Sequence, residues 1–408
     1  MMMHVKKLVV SIHLGGQEIE LGELISEGKR IYFKYYSSFI DRGLEISPFK
    51  LKLSDQLYAA DEIPFDGLYG VFADSLPDGW GRLLLDRRLS SKGILIQEIT
   101  PLDRLSYVGS KGMGSLIYRP AMDSNIHEEF NLELDTLAQE MNHVLMGTSS
   151  EVIEELFELG GSSGGARPKI FIGYNSKTNH LLYGLDELPP DYKYWMIKFS
   201  SSTDRIDMAN IEYAYHKMAV DAGMEMSECK LFKGESGKVY FGTKRFDRVG
   251  GQRLHLHSAA GLMHDNFRLS NLDYGHLMDC AFKLENHVGA YEKILRMAAF
   301  NVFAHNRDDH SKNFSFLMDN AGTWKLAPAY DLTFSNSSHG LHSTMVSGES
   351  QNPGKKQLME LANYFQINNA KEIIQKVQDV VSNWETYAKK YGVEPESRNL
   401  ISRRIAGK

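Results

Sequence analysis

A chain of 408 residues, 42% hydrophobic and 24% charged, has the length for two or three cored domains and the balance of a soluble globular protein. Its net charge of −6 disfavours independent DNA binding, which needs a basic face to neutralise phosphates; Arg87-Arg88 and Arg403-Arg404 are too short to make one. With only Cys229 and Cys280, a disulfide framework and a thiolate zinc site are excluded and a reducing cytoplasm fits, while no apolar run nears the ~20 residues of a membrane span and residues 1–11 are too short and charged for a secretory signal.

In chain order, residues 5–13 alternate as a strand, Gly15-Gly16 offers a hairpin turn, and 18–24 and 30–36 continue as strands rich in β formers. Asp78 can cap a helix whose apolar face carries Trp80, Leu83, Leu84 and Leu89. Thr100, Pro101 and Asp103 mark a second helix start, and Gly109, Gly112 and Gly114 lead into a strand at 115–118. Residues 131–159 read as helix with a polar break at 147–150. The stretch 160–246 is strand-dominated, with strands at 168–174, 180–183, 195–199 and 238–246 and one helix at 211–222. Helices follow residue 258, interrupted by loop and strand over 305–334, and 356–404 is amphipathic helix.

The chemistry concentrates in AHNRDDHSKNFSF, residues 304–316. Asp308 and Asn313 have the D-x-x-x-x-N spacing of a kinase catalytic loop, in which one residue reaches the acceptor hydroxyl as base and the other a Mg²⁺ on the phosphate side. Asp309 lacks that separation from Asn313. Alone, the spacing equally describes a polar turn. Asp331 follows a short apolar run, as a metal-binding Asp of kinases does, although Tyr330-Asp331-Leu332 is no DFG; an Asx turn is the plain alternative. Lys198 lies on a half-buried strand, sharing a face with Tyr194 and Met196, where its charge needs a partner or an anionic ligand such as ATP phosphate. Glu212 either pairs with it or simply occupies a first helical turn. GGSSGGARPK, 160–169, can form a backbone anion nest over phosphates or serve as a linker; it matches neither common phosphate-loop pattern. The order of these elements is that of a kinase. His255, His257 and His264 lack a carboxylate cluster and read as a solvated strand end rather than a metal site.

These residues resemble the HipA-type toxin kinases of bacterial toxin–antitoxin modules over nearly the whole chain. The similarity runs through LPDGWGRLLLDRRL (76–89), GSKGMGSL (109–116), SSGGARPK (162–169), Lys198, KRFDR (244–248), DDHSKNFS (308–315) and AYDLTFS (329–335). The resemblance implies an α+β, bilobal, protein-kinase-like fold with an N-terminal β-rich subdomain at 1–120, an N-lobe-like region at 121–250 and a helical C-lobe-like region at 251–408. It implies ATP and Mg²⁺ as cofactors and transfer of the γ-phosphate to Ser or Thr of a cytoplasmic protein. Asp308 would be the base, Asn313 and Asp331 the metal ligands, and Lys198 the phosphate contact. His310 would orient the loop and Lys312 steady the transferring phosphate. Ser162, Ser163, Gly164, Gly165 and Ala166 would cover the nucleotide, with Lys244, Arg245 and Phe246 at the hinge beside adenine. Ser162, with Ser163 as the alternative, would be an inactivating autophosphorylation site. The family's targets are aminoacyl-tRNA synthetases and its partner is a HipB-like helix-turn-helix antitoxin, which would carry the DNA contact. Leu256-His257-Ser258 and Arg167-Pro168 depart from the family pattern at the nucleotide edge and the loop. A catalytically silent repression partner and a small-molecule kinase are the competing functions.

Overall fold

The computed structural model describes residues 4–28, 30–122, 133–148, 152–185, 187–201, 204–337 and 340–406. Residues 131–132 of the expected helix and 149–150 of its expected break lie outside these. The remainder is a mixed α+β architecture with two five-stranded antiparallel sheets and a helical second half.

The first sheet has the order β4-β3-β2-β1-β5, from β1 (Lys7–Leu14), β2 (Gln17–Glu27), β3 (Arg30–Tyr35), β4 (Tyr58–Ala59) and β5 (Leu116–Arg119). Gly15 and Gly16 take φ of 57° and 83° in the turn joining β1 to β2, the left-handed conformation that a tight hairpin needs and glycine accepts at no steric cost. Alternation along β3 puts Ile31, Phe33 and Tyr35 inside. The inner face packs into one large core that runs on through the helices Met208–Asp221, Tyr274–Glu285, Gly289–Phe303 and Ala370–Ser382.

The second sheet has the order β7-β6-β8-β10-β9, from β6 (Lys169–Asn175), β7 (His180–Leu182), β8 (Lys193–Lys198), β9 (Cys229–Lys233) and β10 (Val239–Lys244). β9 gives no period-2 signal in the sequence and is an addition to the expected strands. One face of this sheet shares a separate core with the helices Gly79–Ser91, Leu134–Met146 and Ile153–Gly160. Trp80, Leu84, Leu85 and Leu89 are the contribution of the first of these, each worth about 1.5–3 kcal/mol of apolar burial. A small sheet of His255–Ser258, Ser315–Met318 and Trp324–Leu326 flanks the helical half.

His255 and His257 do not form a solvated strand end. Both are fully buried, because the N-terminal region covers that strand: His255 meets the Ile46 carbonyl at 2.8 Å, and His257 sits between the Ser47 hydroxyl at 3.0 Å and Asp74 at 2.6 Å. His264 accepts the Gly70 N–H at 3.0 Å. The three histidines join two parts of the chain and gather no metal site.

Candidate active site

Between the second sheet and the helical half lies a cavity of about 610 Å³. Its floor begins where the buried helix Gly289–Phe303 ends. The loop that follows is pinned from below: Asn306 Nδ2 donates to Asn301 Oδ1 at 3.0 Å, and Asn301 Nδ2 donates to the Tyr274 hydroxyl at 2.8 Å. Asp309, at 1% exposure, is the main anchor. Its carboxylate accepts from the Tyr274 hydroxyl at 2.9 Å and the Ser343 N–H at 2.8 Å, and lies 3.0 Å from His342 Nδ1. Neighbouring aspartates thus have opposite tasks, since the Asp308 side chain is 55% exposed and borders the cavity.

Desolvation, followed by the charge of Asp331, pushes the Asp308 carboxyl above its ordinary value despite His310 nearby. His310 Nε2 stands 3.8 Å from Asp308 Oδ1. Asn313 donates its amide to the Asp308 carbonyl at 2.7 Å, a bond that does not use the Asn313 side-chain oxygen. Lys312 reaches across to Asp78 at 2.5 Å.

The opposite wall carries an unusual pair. In the β6–β8 register Lys169 faces Lys198, so two buried ammonium groups share one face of the sheet. Directly opposed like charges are unfavourable without anions between them. Lys198 Nζ donates to Glu212 Oε1 at 2.5 Å and to Asp331 Oδ1 at 2.7 Å, which resolves the pairing of Glu212 in favour of the ion pair. Although burial lowers the Lys198 pKa, Asp331 and Glu212 outweigh it and raise it. Lys198 in turn is the foremost cause that holds the Asp331 carboxyl well below the usual carboxylate range, helped by Lys169 and Arg167. Asp331 adopts φ 55°, a left-handed conformation uncommon for a residue with a side chain. Lys169 has a weaker set of partners: burial, then Lys198, lowers it to about 8. Its ammonium donates to the Gly164 carbonyl. Arg167 Nε holds Asp204 at 3.1 Å, and its Nη1 lies 4.0 Å from Glu212. Lys169 and Arg167 went unassigned in the sequence; the β-strand pairing with Lys198 is what gives Lys169 its place.

The cover of the cavity is the segment 161–168. Gly164, Gly165 and Ala166 are exposed at its turn, and Gly165 takes φ 84°. Ser162 is half-buried and donates to the Lys111 carbonyl at 2.8 Å, whereas Ser163 is wholly buried and donates to Gly160 at 2.6 Å. At the edge, the Phe246 ring lies 5.6 Å from that of Tyr330, and Lys244 borders the cavity. Arg245 is only partly what the hinge assignment expects. Its N–H bonds the Tyr194 carbonyl at 2.9 Å, but its guanidinium turns into a buried cluster with Asp247, at 2.8 Å, and Arg248.

The donor set suits Mg²⁺ with ATP. Among the described residues no group of three His, Cys, Asp or Glu forms a ready metal cage. Magnesium bound beside phosphates does not need one, since one or two protein oxygens and the phosphate oxygens suffice. Asp331 and the Asn313 oxygen would be such donors, and Lys198, Lys169 and the glycine turn carry cations and N–H groups of the kind a polyphosphate needs.

Residues 161–384 match the HipA-like C-terminal domain and residues 11–119 the HipA N-terminal domain. No curated protein matches the chain. Among solved structures, HipA of Shewanella oneidensis MR-1, from a complex of HipA, HipB and operator DNA, is 17% identical, covers 98% of this chain and 95% of its own, and superposes with a TM-score of 0.67. The α+β, HipA-like fold expected from the sequence is therefore the fold observed. The Helicobacter pylori proinflammatory kinase CtkA is 14% identical over 53% of this chain and 91% of its own, at a TM-score of 0.34, too slight a likeness to argue from. No helix among the described residues is long and apolar enough to cross a membrane.

Proposed function

The chain belongs to the HipA-like family, and from that premise we propose that it is an ATP- and Mg²⁺-dependent kinase that phosphorylates Ser or Thr of a cytoplasmic protein. The observation that carries the proposal is the chain of charges from Glu212 through Lys198 to Asp331, facing Asp308 and Asn313 across one cavity. A catalytically silent partner has no use for two buried lysines on one face, each of which costs desolvation. The division into an N-terminal subdomain at 1–120, an N-lobe-like region at 121–250 and a C-lobe-like region at 251–408 belongs to the same proposal.

Asp308 would align the acceptor hydroxyl and take its proton as the hydroxyl oxygen bonds the γ-phosphorus and the bond to the β-phosphate oxygen breaks. Its raised pKa favours that role as base. His310 would orient the Asp308 carboxylate, and Lys198, Lys169 and Lys312 would meet the phosphate oxygens. Magnesium held by Asp331 and Asn313 would supply charge neutralisation across the phosphates. Lys244 to Phe246 would border adenine, with Arg245 contributing backbone only.

Ser162 is the better candidate for autophosphorylation, because Ser163 is sealed in the loop interior. Phosphate there would place nearly two negative charges beside those of ATP and disfavour the closed cover. A HipB-like helix-turn-helix antitoxin is the proposed partner, as the solved Shewanella relative is in complex with HipB and operator DNA. DNA contact would be indirect, in keeping with a net charge of −6. An aminoacyl-tRNA synthetase is the substrate class that family resemblance favours, and the N-terminal region argues for a protein over a small-molecule acceptor. Incubation with γ-labelled ATP and a cell lysate tests this: a cytoplasmic protein labelled on Ser or Thr is expected, and label confined to small molecules would overturn it.

A further inference from the structure

Most of the cavity is lined by residues beyond 160, but Asp74 and Asp78 come from the N-terminal region, and Asp78 reaches the cover and Lys312. Asp78 stands at the cap position of helix Gly79–Ser91, yet its side chain makes no capping bond. One carboxylate oxygen accepts the Gly165 N–H at the exposed turn of the cover, and the other accepts from Lys312 Nζ at 2.5 Å. These partners are 87 and 234 residues away in sequence, so no local preference produces the arrangement.

The backbone beside Asp78 is fitted to the cover. Trp80 donates its N–H to the Gly165 carbonyl at 2.9 Å. Gly79 has φ 47°, and a Cβ there would come within 2.4 Å of the same oxygen; a Cβ at Gly81 would lie 2.2 Å from the Ser163 carbonyl. The segment is therefore held against the cover by close backbone approach, which fixes where Asp78 points. The side chain is 20% exposed. Burial raises its carboxyl pKa, but Lys312 and the Gly165 N–H more than offset this and hold it low, so it remains charged.

A glycine-turn N–H and a lysine ammonium are the groups that recognise a phosphate oxygen. Asp78 engages both. We propose, on the kinase assignment above, that Asp78 is a built-in competitor for the terminal phosphates: its carboxylate ties the glycine turn to Lys312 and must surrender both to a polyphosphate. The N-terminal region thereby subtracts from the affinity for ATP while leaving that for adenosine alone untouched.

Calorimetric titration of the full chain with ATP and with adenosine, without Mg²⁺, tests this. Asp78→Asn keeps the shape and removes the charge, so ATP should bind at least about tenfold more tightly while adenosine changes by less than about twofold. Asp78→Ser, which keeps an acceptor without charge, makes the same prediction should Asp78→Asn not fold. ATP affinity that is unchanged or weaker relative to adenosine in a folded variant would overturn the competition and leave the kinase assignment standing. A wild-type protein that binds neither ATP nor adenosine would overturn both.

Discussion

The floor and the cover of the cavity are built on different principles. The floor and the wall facing it are overdetermined: Asp309 takes up a tyrosine hydroxyl, a histidine and the Ser343 and Thr344 N–H groups, and the buried Lys198 is held by two carboxylates. The cover is tied mainly by polar contacts around exposed glycines, from Ser162 to Lys111, from Gly165 to Asp78 and to the Trp80 N–H, and from Lys169 to Gly164. A loop with few buried contacts opens at low cost, while a loop anchored in the core does not. On the proposed kinase function, positioning for chemistry would belong to the first region and control to the second.

Substitutions that exchange the properties of the two regions put this contrast under strain. Asp331→Ala should have the largest effect, abolishing phosphotransfer and weakening Mg²⁺-ATP binding more than metal-free ATP binding; Asn313→Ala should do the same to a lesser degree. Calorimetry with and without Mg²⁺ measures this, and equal losses in both conditions would make the two residues structural. Asp309→Ala should cost about 3–5 kcal/mol of stability in chemical denaturation, because it strands buried donors and a histidine. If that loss fell below 1 kcal/mol on the scale of exposed substitutions, the floor would not be rigid.

The cover, and the wall lysine tied to it, should respond more mildly. Lys169 is lowered to about 8, so its positive charge is present below that value and lost as the pH rises through it. ATP affinity should fall severalfold across that range, and Lys169→Met should flatten the profile. A dependence that persists in Lys169→Met would assign it to another group. Ser162→Ala should change activity least, within about 1 kcal/mol of transition-state stabilisation, since it removes one hydrogen bond to Lys111. The same substitution should eliminate self-labelling detected by mass spectrometry; label retained on the loop would locate the acceptor elsewhere.

Much of this was legible in the sequence, for physical reasons that differ between residues. The strands of the first sheet alternate cleanly, and Thr100 with Asp103 forms the capping box its spacing suggests. Asp308, Asn313, Lys198 and Asp331, picked out by motif spacing and order, all line one cavity. What escaped depends on contacts distant in sequence. Asp78 looks like a helix cap and is instead a long-range bridge. His255 and His257 look like a polar strand end until residues 46, 47 and 74 bury them. Asp309 looks like a spare carboxylate, because nothing nearby announces His342 or Tyr274 as its partners. Arg245 fits the hinge motif, but Asp247 claims its guanidinium.

The central claim is that the exposed carboxylate on an otherwise rigid floor carries out the chemistry. Asp308→Asn, compared with wild type for γ-phosphate transfer and for ATP binding, tests it most directly. Asp308 is raised in pKa and half-exposed, so its removal should leave folding and ATP affinity largely unchanged while transfer falls by about 10²–10⁴-fold. Transfer at the wild-type rate by a folded, ATP-binding Asp308→Asn protein would contradict the account.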